Sequence, residues 1–187
     1  MRPGFAIIFL CALFALSWLV AAWWRAPSDK TIGLRAEIPY RAVLTIGGLI
    51  FAVPARNYHG PLRFWYVNAT EAWICVAVIA IGFAFSWWGR IYLGPLWSGN
   101  VDRKGEHAVV DTGPYAIVRH PIYTGILMAV FATCAAKGTA WGIAGAVIIT
   151  IGLWMKARLE EGWLREELDA DAYEAYRRRV SMLVPWF

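Results

Sequence analysis

Apolar residues are concentrated in five runs that are separated by polar stretches. The runs cover residues 5–24, 39–55, 70–88, 121–136 and 140–155. A helix needs ~20 apolar residues to cross the ~30 Å hydrocarbon core of a bilayer, and the runs are close to that length. The pattern therefore predicts an all-α fold, an integral membrane helical bundle with five transmembrane helices.

The chain after the fifth run follows a different pattern. Between residues 156 and 176 the sequence is charged, but apolar residues recur on one predicted helix face, at Leu159, Trp163, Leu164 and Leu168. This predicts a C-terminal amphipathic helix beyond the last span. The basic triplet at 177–179 follows it and suits anionic lipid headgroups.

The composition supports a membrane protein rather than a soluble one. Only 17% of the residues are charged, against ~25% in a typical soluble domain, and 59% are hydrophobic. The 12 Trp cluster near the ends of apolar runs, which is typical of interfacial aromatic belts. We therefore expect residues 1–187 to form a single membrane domain in contact with membrane lipids. The sequence leaves the oligomeric state open.

Several function classes find no support in the sequence. The net charge is +5, but no basic motif interleaved with aromatic residues indicates a nucleic-acid partner. Cys11, Cys75 and Cys134 lie inside apolar runs without the close pairing of a zinc site, so no metal is predicted. The sequence also lacks a phosphate loop, a dinucleotide fingerprint and a nucleophile elbow.

The distribution of basic residues predicts the orientation. With five spans the termini lie on opposite sides of the membrane. Four of the 18 Lys and Arg fall on one side, namely Arg2, Arg56, Arg63 and Lys137, and the others fall on the opposite side. Cytoplasmic loops carry the excess of Lys and Arg. The N-terminus is therefore predicted outside, and the C-terminus and the loop between the third and fourth runs are predicted in the cytoplasm.

The polar stretch 107–125 holds the candidate chemistry. It contains His107 and the pair Arg119–His120, which lies where the fourth apolar run begins. Pro121 suits the first turn of a helix, so the pair is predicted at the mouth of the fourth span, where helix N–H groups and a guanidinium favour an anion. Titratable groups at that depth are costly, so their presence calls for a function. Taken alone, however, the Arg119–His120 pair is explained equally well as an interfacial anchor.

A second polar feature, the pair Glu160–Glu161, follows the fifth run. The tight connection at 137–139 predicts a helical hairpin that returns this pair to the start of the fourth span. Alone, the pair is typical of a solvated helix surface. On the same face as Arg119 and His120, it predicts a shared pocket at the cytoplasmic side.

Small residues predict where helices approach closely. Gly125, Ala129 and Thr133 recur at four-residue spacing on the fourth helix, and Gly138 and Gly142 repeat that spacing at the start of the fifth. Such spacing is typical of closely packed membrane helices. We therefore expect these residues to line the hairpin between the fourth and fifth helices.

A longer motif resembles the isoprenylcysteine carboxyl methyltransferase family. It reads His107-x-Val-Val-x-x-Gly113-Pro-Tyr115-x-x-Val-Arg119-His120-Pro-x-Tyr123-x-Gly125, followed by Glu160-Glu161-x-x-Leu, Tyr-x-x-Tyr and a late Pro. The likeness covers about residues 88–187 and extends to the phospholipid methyltransferases of the same superfamily. The chain departs from the family at 168–171, where Leu-Asp-Ala-Asp replaces a frequent Phe-Gly.

The resemblance implies S-adenosyl-L-methionine as cofactor, bound at the cytoplasmic face by segments 88–125 and 156–187. It implies catalytic roles for Arg119 and Glu161, and replacement of Arg119 by Ala is expected to abolish transfer while leaving the fold intact. The cofactor-binding residues that it implies are His107, Gly113, Tyr115, Arg119, His120, Tyr123, Gly125, Glu160 and Glu161.

Methyl transfer fits such a site because it is a direct displacement that needs alignment and exclusion of water, not a covalent nucleophile. The acceptor is left open as a lipophilic small molecule, lipid or lipidated substrate that offers a carboxylate, amine or thiol. An amine or a thiol would need a base, which a Glu can supply. Two other hypotheses are an NADPH-dependent sterol-type reductase and a non-catalytic membrane protein that binds a lipid or a partner.

Overall fold

The structure is a computed structural model that describes residues 2–21, 23, 30–31, 33–55, 58–94, 97, 102–103, 109–167 and 170–185. The helices of this part of the chain are α1 (Pro3–Ala21), α2 (Leu34–Ala52), α3 (Ala69–Leu93), a 3-10 helix (Gly113–Ala116), α4 (Pro121–Lys137), α5 (Ala140–Glu167) and α6 (Ala170–Arg179). Two short strands, β1 (Lys30–Thr31) and β2 (Asp102–Arg103), pair antiparallel. The fold is otherwise helical, as the sequence predicts.

Three of the described helices are long and apolar enough to cross a membrane: Pro3–Ala21, Ala69–Leu93 and Ala140–Glu166. The apolar helix α4 has 17 residues. Helix α2 has 19 residues but carries charged side chains in its first two turns. Length and composition thus support three spans, and the five-span arrangement stays a prediction.

The five longer helices lie side by side in the spatial order α1, α3, α4, α5, α2. Helices α1, α3 and α5 run towards one end of the bundle, and α2 and α4 begin there; we call it the site end. The Arg90 side chain joins the C-terminal ends of α1 and α3 at the site end. It donates hydrogen bonds to the carbonyl oxygens of Gly94 at 2.6 Å and Ala21 at 2.9 Å. A buried guanidinium thereby satisfies carbonyls at two helix termini.

Two predicted boundaries are wrong at the site end. Helix α3 continues past residue 88 to Leu93, and Gly89 in its last turns packs against Pro121 at the start of α4. Helix α5 does not stop at 155 but continues to Glu167, so the amphipathic stretch after the span is the same helix, with α6 separate from it. The extension is rich in Arg, Leu and Glu, which are good helix formers.

The small residues of α4 pack against α3, which corrects the predicted hairpin contact. A methyl group added at Gly125 would overlap the Gly82 carbonyl oxygen and the Ser86 hydroxyl of α3. Ser86 also donates to the Ile122 carbonyl at 2.9 Å. Gly138 ends α4 in the left-handed conformation, with φ 62°, instead of serving a helix interface. Close approach at Gly125 thus joins α3 to α4.

Candidate active site

The pair Arg119–His120 meets the acidic pair of α5 at the site end, as the hairpin geometry predicts. The Arg119 Nε donates to Glu161 Oε1 at 2.7 Å. The His120 Nε2 lies 3.3 Å from the same oxygen. The Arg177 Nε lies 3.3 Å from Glu161 Oε2, without hydrogen-bond geometry. Because the Glu161 side chain is only 4% exposed, its charge is balanced inside the protein.

Arg119 also holds the C-terminal segment in place. Its Nη1 donates to the carbonyl oxygens of Arg177, at 3.1 Å, and Val180. The backbone N–H of Arg119 donates to the Ser181 carbonyl at 2.8 Å, and that of His120 donates to the Met182 carbonyl at 3.1 Å. Arg119 therefore ties α4, α5 and the end of α6 together. A role as a clamp for a ligand carboxylate has no direct support in these contacts.

Glu160 lies in a more open environment than Glu161. The Tyr123 hydroxyl donates to Glu160 Oε1 at 2.6 Å, and His120 Nδ1 lies 3.5 Å from Oε2. The rings of His120 and Tyr123 are stacked, with centroids 5.3 Å apart and planes within 6°. The Glu160 side chain is 19% exposed. Of the two carboxylates, Glu160 is thus the one placed to meet a ligand.

Helix α2 contributes a side chain that the sequence analysis missed. The buried Tyr40 ring lies 5.7 Å from the Nζ of Lys156, which in turn lies 5.5 Å from the Tyr123 ring. Lys156 Nζ is 3.8 Å from Glu160 Oε1. A tyrosine near the start of an apolar run, on the same side as Arg119, was the available signal. Lys156, between the fifth run and Glu160, was a second one.

Tyr115 of the 3-10 helix and Tyr176 of α6 pack next to this cluster. Tyr115 is buried, its hydroxyl donates to the Gly89 carbonyl at 3.4 Å, and its own carbonyl accepts from the Tyr176 hydroxyl at 2.8 Å. Burial raises the pKa of both tyrosines above the ordinary value. They are neutral groups that join α3, the 3-10 helix and α6.

The remaining predicted site residues have different placements. Gly113 adopts a φ of 58°, which favours glycine, beside the ring of Tyr92. Gly125 lies at the packing contact with α3 described above. His107 lies outside the described residues. Five of the predicted site residues therefore lie in one cluster, namely Arg119, His120, Tyr123, Glu160 and Glu161. Tyr115 packs next to this cluster.

The chemistry of this cluster suits a cationic ligand that carries hydrogen-bond donors. A partly open carboxylate accepts from ammonium or hydroxyl groups, and flat aromatic faces attract a cation. S-adenosyl-L-methionine has a sulfonium, an ammonium and ribose hydroxyls, so the side chains of Glu160, His120 and Tyr123 fit that group.

Comparison with known proteins shows similarity to methyltransferases. The family model described as phospholipid methyltransferase matches residues 70–170. Methanethiol S-methyltransferase 1 of Bradyrhizobium diazoefficiens is 32% identical over 199 aligned positions, which cover 96% of this chain and 66% of the relative. The chain therefore spans just under two thirds of that relative's length.

Two further relatives match over a shorter stretch. Methanethiol S-methyltransferase of Pseudomonas sp. strain GM41 is 39% identical over 71 residues. Methanethiol S-methyltransferase 2 of Bradyrhizobium diazoefficiens is 44% identical over 71 residues. Both alignments cover 38% of this chain and 26% of the relative. The family match includes α3 except for its first residue and the whole of α4 and α5, and therefore every cluster residue from Arg119 to Glu161.

Proposed function

This chain belongs to the phospholipid methyltransferase family of membrane methyltransferases, and we propose that it transfers a methyl group from S-adenosyl-L-methionine to a small lipophilic thiol. One observation carries the proposal: the family match includes the cluster in which the partly exposed Glu160 accepts a hydrogen bond from Tyr123, whose ring stacks on His120. The bound cofactor supplies an electrophilic methyl group on a sulfonium.

The proposed role of Glu160 follows from its contacts. Its carboxylate is oriented by Tyr123, and it is open enough to accept hydrogen bonds from a cationic ligand. A thiol acceptor must lose its proton, and the same carboxylate is available to receive it. In this proposal Glu160 binds the donor and accepts the proton of the acceptor. The sequence alone did not distinguish these roles from the role of Glu161.

Arg119 and Glu161 act as positioning residues in this proposal. Their ion pair and the Arg119 contacts to the Arg177 and Val180 carbonyls hold α4, α5 and α6 in register. Held in this way, His120 and Glu160 keep a fixed geometry, and alignment of reactants supplies several kcal/mol of a barrier. In this proposal Arg119 and Glu161, the predicted catalytic pair, hold His120 and Glu160 in position for the ligand.

The thiol acceptor rests on the relatives, three of which carry the name methanethiol S-methyltransferase. A second candidate is methylation of a phospholipid amine, which the description of the family model favours. A carboxylate acceptor, sterol-type reduction with NADPH and non-catalytic lipid or partner binding have no observation of their own in their favour. We place the site on the cytoplasmic face, where the basic residues are concentrated.

The deciding experiment uses the full chain purified in detergent, with titration calorimetry of S-adenosylhomocysteine and headspace detection of methylated thiol. Parallel reactions contain methanethiol, phosphatidylethanolamine vesicles, or NADPH with a sterol. We expect cofactor-product binding and transfer to the thiol. Absence of binding at high micromolar concentration, or consumption of NADPH, would overturn the proposal, whereas transfer to the lipid amine alone would favour the second candidate.

A matched pair of variants on one helix sharpens this test. Glu160→Gln keeps the size of the side chain but removes the charge that faces the ligand. Glu166→Gln makes the same change at an exposed position of α5. We expect at least a tenfold loss of affinity for S-adenosylhomocysteine in the first variant, typical of a lost charge-assisted hydrogen bond, and none in the second. Equal affinities would remove Glu160 from the site.

A further inference from the structure

Helices α2, α4 and α5 enclose a second polar cluster next to Glu160, which shares Tyr123 with the proposed cofactor site and adds Lys156 and Tyr40. The Lys156 Nζ lies between two tyrosine rings, 5.7 Å from the centroid of Tyr40 and 5.5 Å from that of Tyr123. Its side chain is only 13% exposed. A long cationic side chain held in this way is fixed in place by helix packing rather than free at the surface.

The Tyr40 hydroxyl is the second observation at this cluster. Tyr40 is 4% exposed, and its hydroxyl is fully enclosed without a hydrogen bond of acceptable geometry, although the Arg41 guanidinium lies beside the ring at 5.9 Å. The Arg41 guanidinium interacts with this hydroxyl but without good hydrogen-bond geometry, and a buried hydroxyl that lacks a well-formed hydrogen bond costs about 1–3 kcal/mol. Its position on the first turns of α2 places it across from Lys156 and Glu160 of α5.

The charged and titratable groups around Lys156 come from three helices. Helix α5 supplies Glu160, α4 supplies Tyr123 with His120 directly before it, and α2 supplies Tyr40. Helix α2 also supplies the ion pair of the buried Glu37 with the exposed Arg41, in which Glu37 Oε2 and Arg41 Nη2 are 2.5 Å apart. Glu37 and Arg41 balance each other's charge. The cation that faces Glu160 and the two rings is therefore Lys156.

We propose that Lys156 and the Tyr40 hydroxyl form the subsite for the acceptor sulfur and hold it as a thiolate next to Glu160. This inference rests on the proposed thiol methyltransferase function and names the residues that receive its substrate. An ammonium repels a sulfonium, so the Lys156 side of Glu160 suits an anion, and the His120 side suits the cationic donor. A cation next to a thiol favours the thiolate, which is the nucleophilic form.

The reaction balances on these groups. The sulfur–hydrogen bond of the acceptor breaks, and the proton passes to the Glu160 carboxylate and from there to water. The thiolate electron pair forms the new carbon–sulfur bond, while the bond between the methyl group and the donor sulfur breaks and leaves its electron pair on that sulfur. The products are a neutral thioether from the acceptor, a neutral thioether from the donor and one proton.

The test compares Lys156→Met with Arg158→Met. Both variants remove a cation from the same turn of α5, but Arg158 is exposed and lies outside the cluster. We expect Lys156→Met to lower kcat/KM for methanethiol about 10- to 100-fold at neutral pH, at or below the lower limit for assisted proton removal because Glu160 still accepts the proton. The activity should recover towards alkaline pH, where the free thiol ionises without help, and Lys156→Arg should restore part of it. Arg158→Met should behave as the wild type.

Calorimetry with S-adenosylhomocysteine separates the acceptor subsite from the donor site. Unchanged affinity in Lys156→Met supports the proposal, whereas a loss that matches the loss of activity means that Lys156 binds the donor carboxylate and overturns it. Equal kinetics of Lys156→Met and Arg158→Met also overturn it.

Tyr40→Phe keeps the ring and removes only the hydroxyl, so it provides an independent readout if Lys156→Met fails to fold. We expect a several-fold loss in kcat/KM for the thiol with unchanged cofactor-product affinity, and unaltered kinetics overturn the subsite. If the wild type transfers no methyl group to any thiol, the proposed function and the subsite fall together. If the wild type is active and these variants match it, only the subsite falls.

Discussion

Arg119 Nε and Glu161 Oε1 are 2.7 Å apart and join the start of α4 to the polar end of α5, with both side chains at least nine-tenths buried. The pair is enclosed by the C-terminal segment, whose carbonyls Arg119 also engages. Its geometry explains why an arginine stands here: one planar fork reaches a carboxylate and two carbonyls at once, which a lysine cannot do. The pair is therefore a joint between three helices.

We predict that Arg119→Ala destabilises the protein by about 3–5 kcal/mol, because removal of one partner leaves the Glu161 charge buried without its main balance. Unfolding in mixed detergent micelles measures this loss. Arg165→Ala is the control, since Arg165 forms an exposed ion pair with Glu174 at 2.7 Å and should cost less than about 1 kcal/mol. The structure thus replaces the sequence-based expectation of an intact fold in Arg119→Ala, and full stability of that variant would contradict this account of the joint.

A pair of glycine substitutions tests the contact between α3 and α4. Gly125→Ala places a methyl group against the Gly82 carbonyl and the Ser86 hydroxyl, so the helices must move apart, at a cost of about 1–3 kcal/mol. Gly48→Ala places the same group in open space within α2 and should be neutral or slightly stabilising. Thermal unfolding of the two variants in detergent measures the difference. Similar stabilities would mean that α3 and α4 are not held at this distance.

The sequence predicted the meeting of Arg119 and Glu161 because it depends on local geometry. Two adjacent helices joined by a tight turn return the end of the second to the start of the first. The role of Tyr40 could not be predicted in this way, because α2 reaches α5 only after two intervening helices. The spacing of Gly125 and Ala129 showed which face of α4 is closely packed, but small residues do not specify the partner helix, and the partner is α3 instead of α5.

Alkaline pH should loosen the docking of α6. Burial raises the pKa of Tyr173 and Tyr176 above the ordinary value of about 10. Their neutral forms are therefore favoured by folding, and this contribution is complete below about pH 10 and is lost as the pH rises towards the higher folded-state pKa values. An ionised Tyr176 also cannot donate to the Tyr115 carbonyl.

Unfolding temperature and phenolate absorbance, followed together from pH 7 to 12, check this prediction. Tyr176→Phe should lose about 1 kcal/mol at neutral pH, from one hydrogen bond, and should show a shallower decline above pH 10. Tyr66→Phe removes an exposed phenol and is the control. The same alkaline decline in Tyr176→Phe as in the wild type would exclude Tyr176 as its cause.

The proposed orientation predicts which engineered cysteines react from outside the cell. Arg179→Cys lies at the exposed end of α6 at the site end, and Leu62→Cys lies in the exposed loop between α2 and α3 at the opposite end. In a background without the three native cysteines, a membrane-impermeant maleimide should label position 62 in intact cells and position 179 only after lysis. The reverse pattern would place the site on the outer face.

Tyr123→Phe tests whether the orientation of Glu160 matters for the donor. The variant keeps the ring that stacks on His120 but removes the hydroxyl that donates to Glu160 Oε1 at 2.6 Å. A hydrogen bond to a charged group contributes about 1.5–3 kcal/mol, and part of this is recovered when water or the ligand takes its place. We expect roughly a 5- to 20-fold weaker affinity for S-adenosylhomocysteine by titration calorimetry, which corresponds to about 1–2 kcal/mol after that recovery. Tyr66→Phe should leave the affinity unchanged. If Tyr123→Phe binds as tightly as the wild type, the donor does not depend on the Glu160 geometry, and the cluster serves the fold alone.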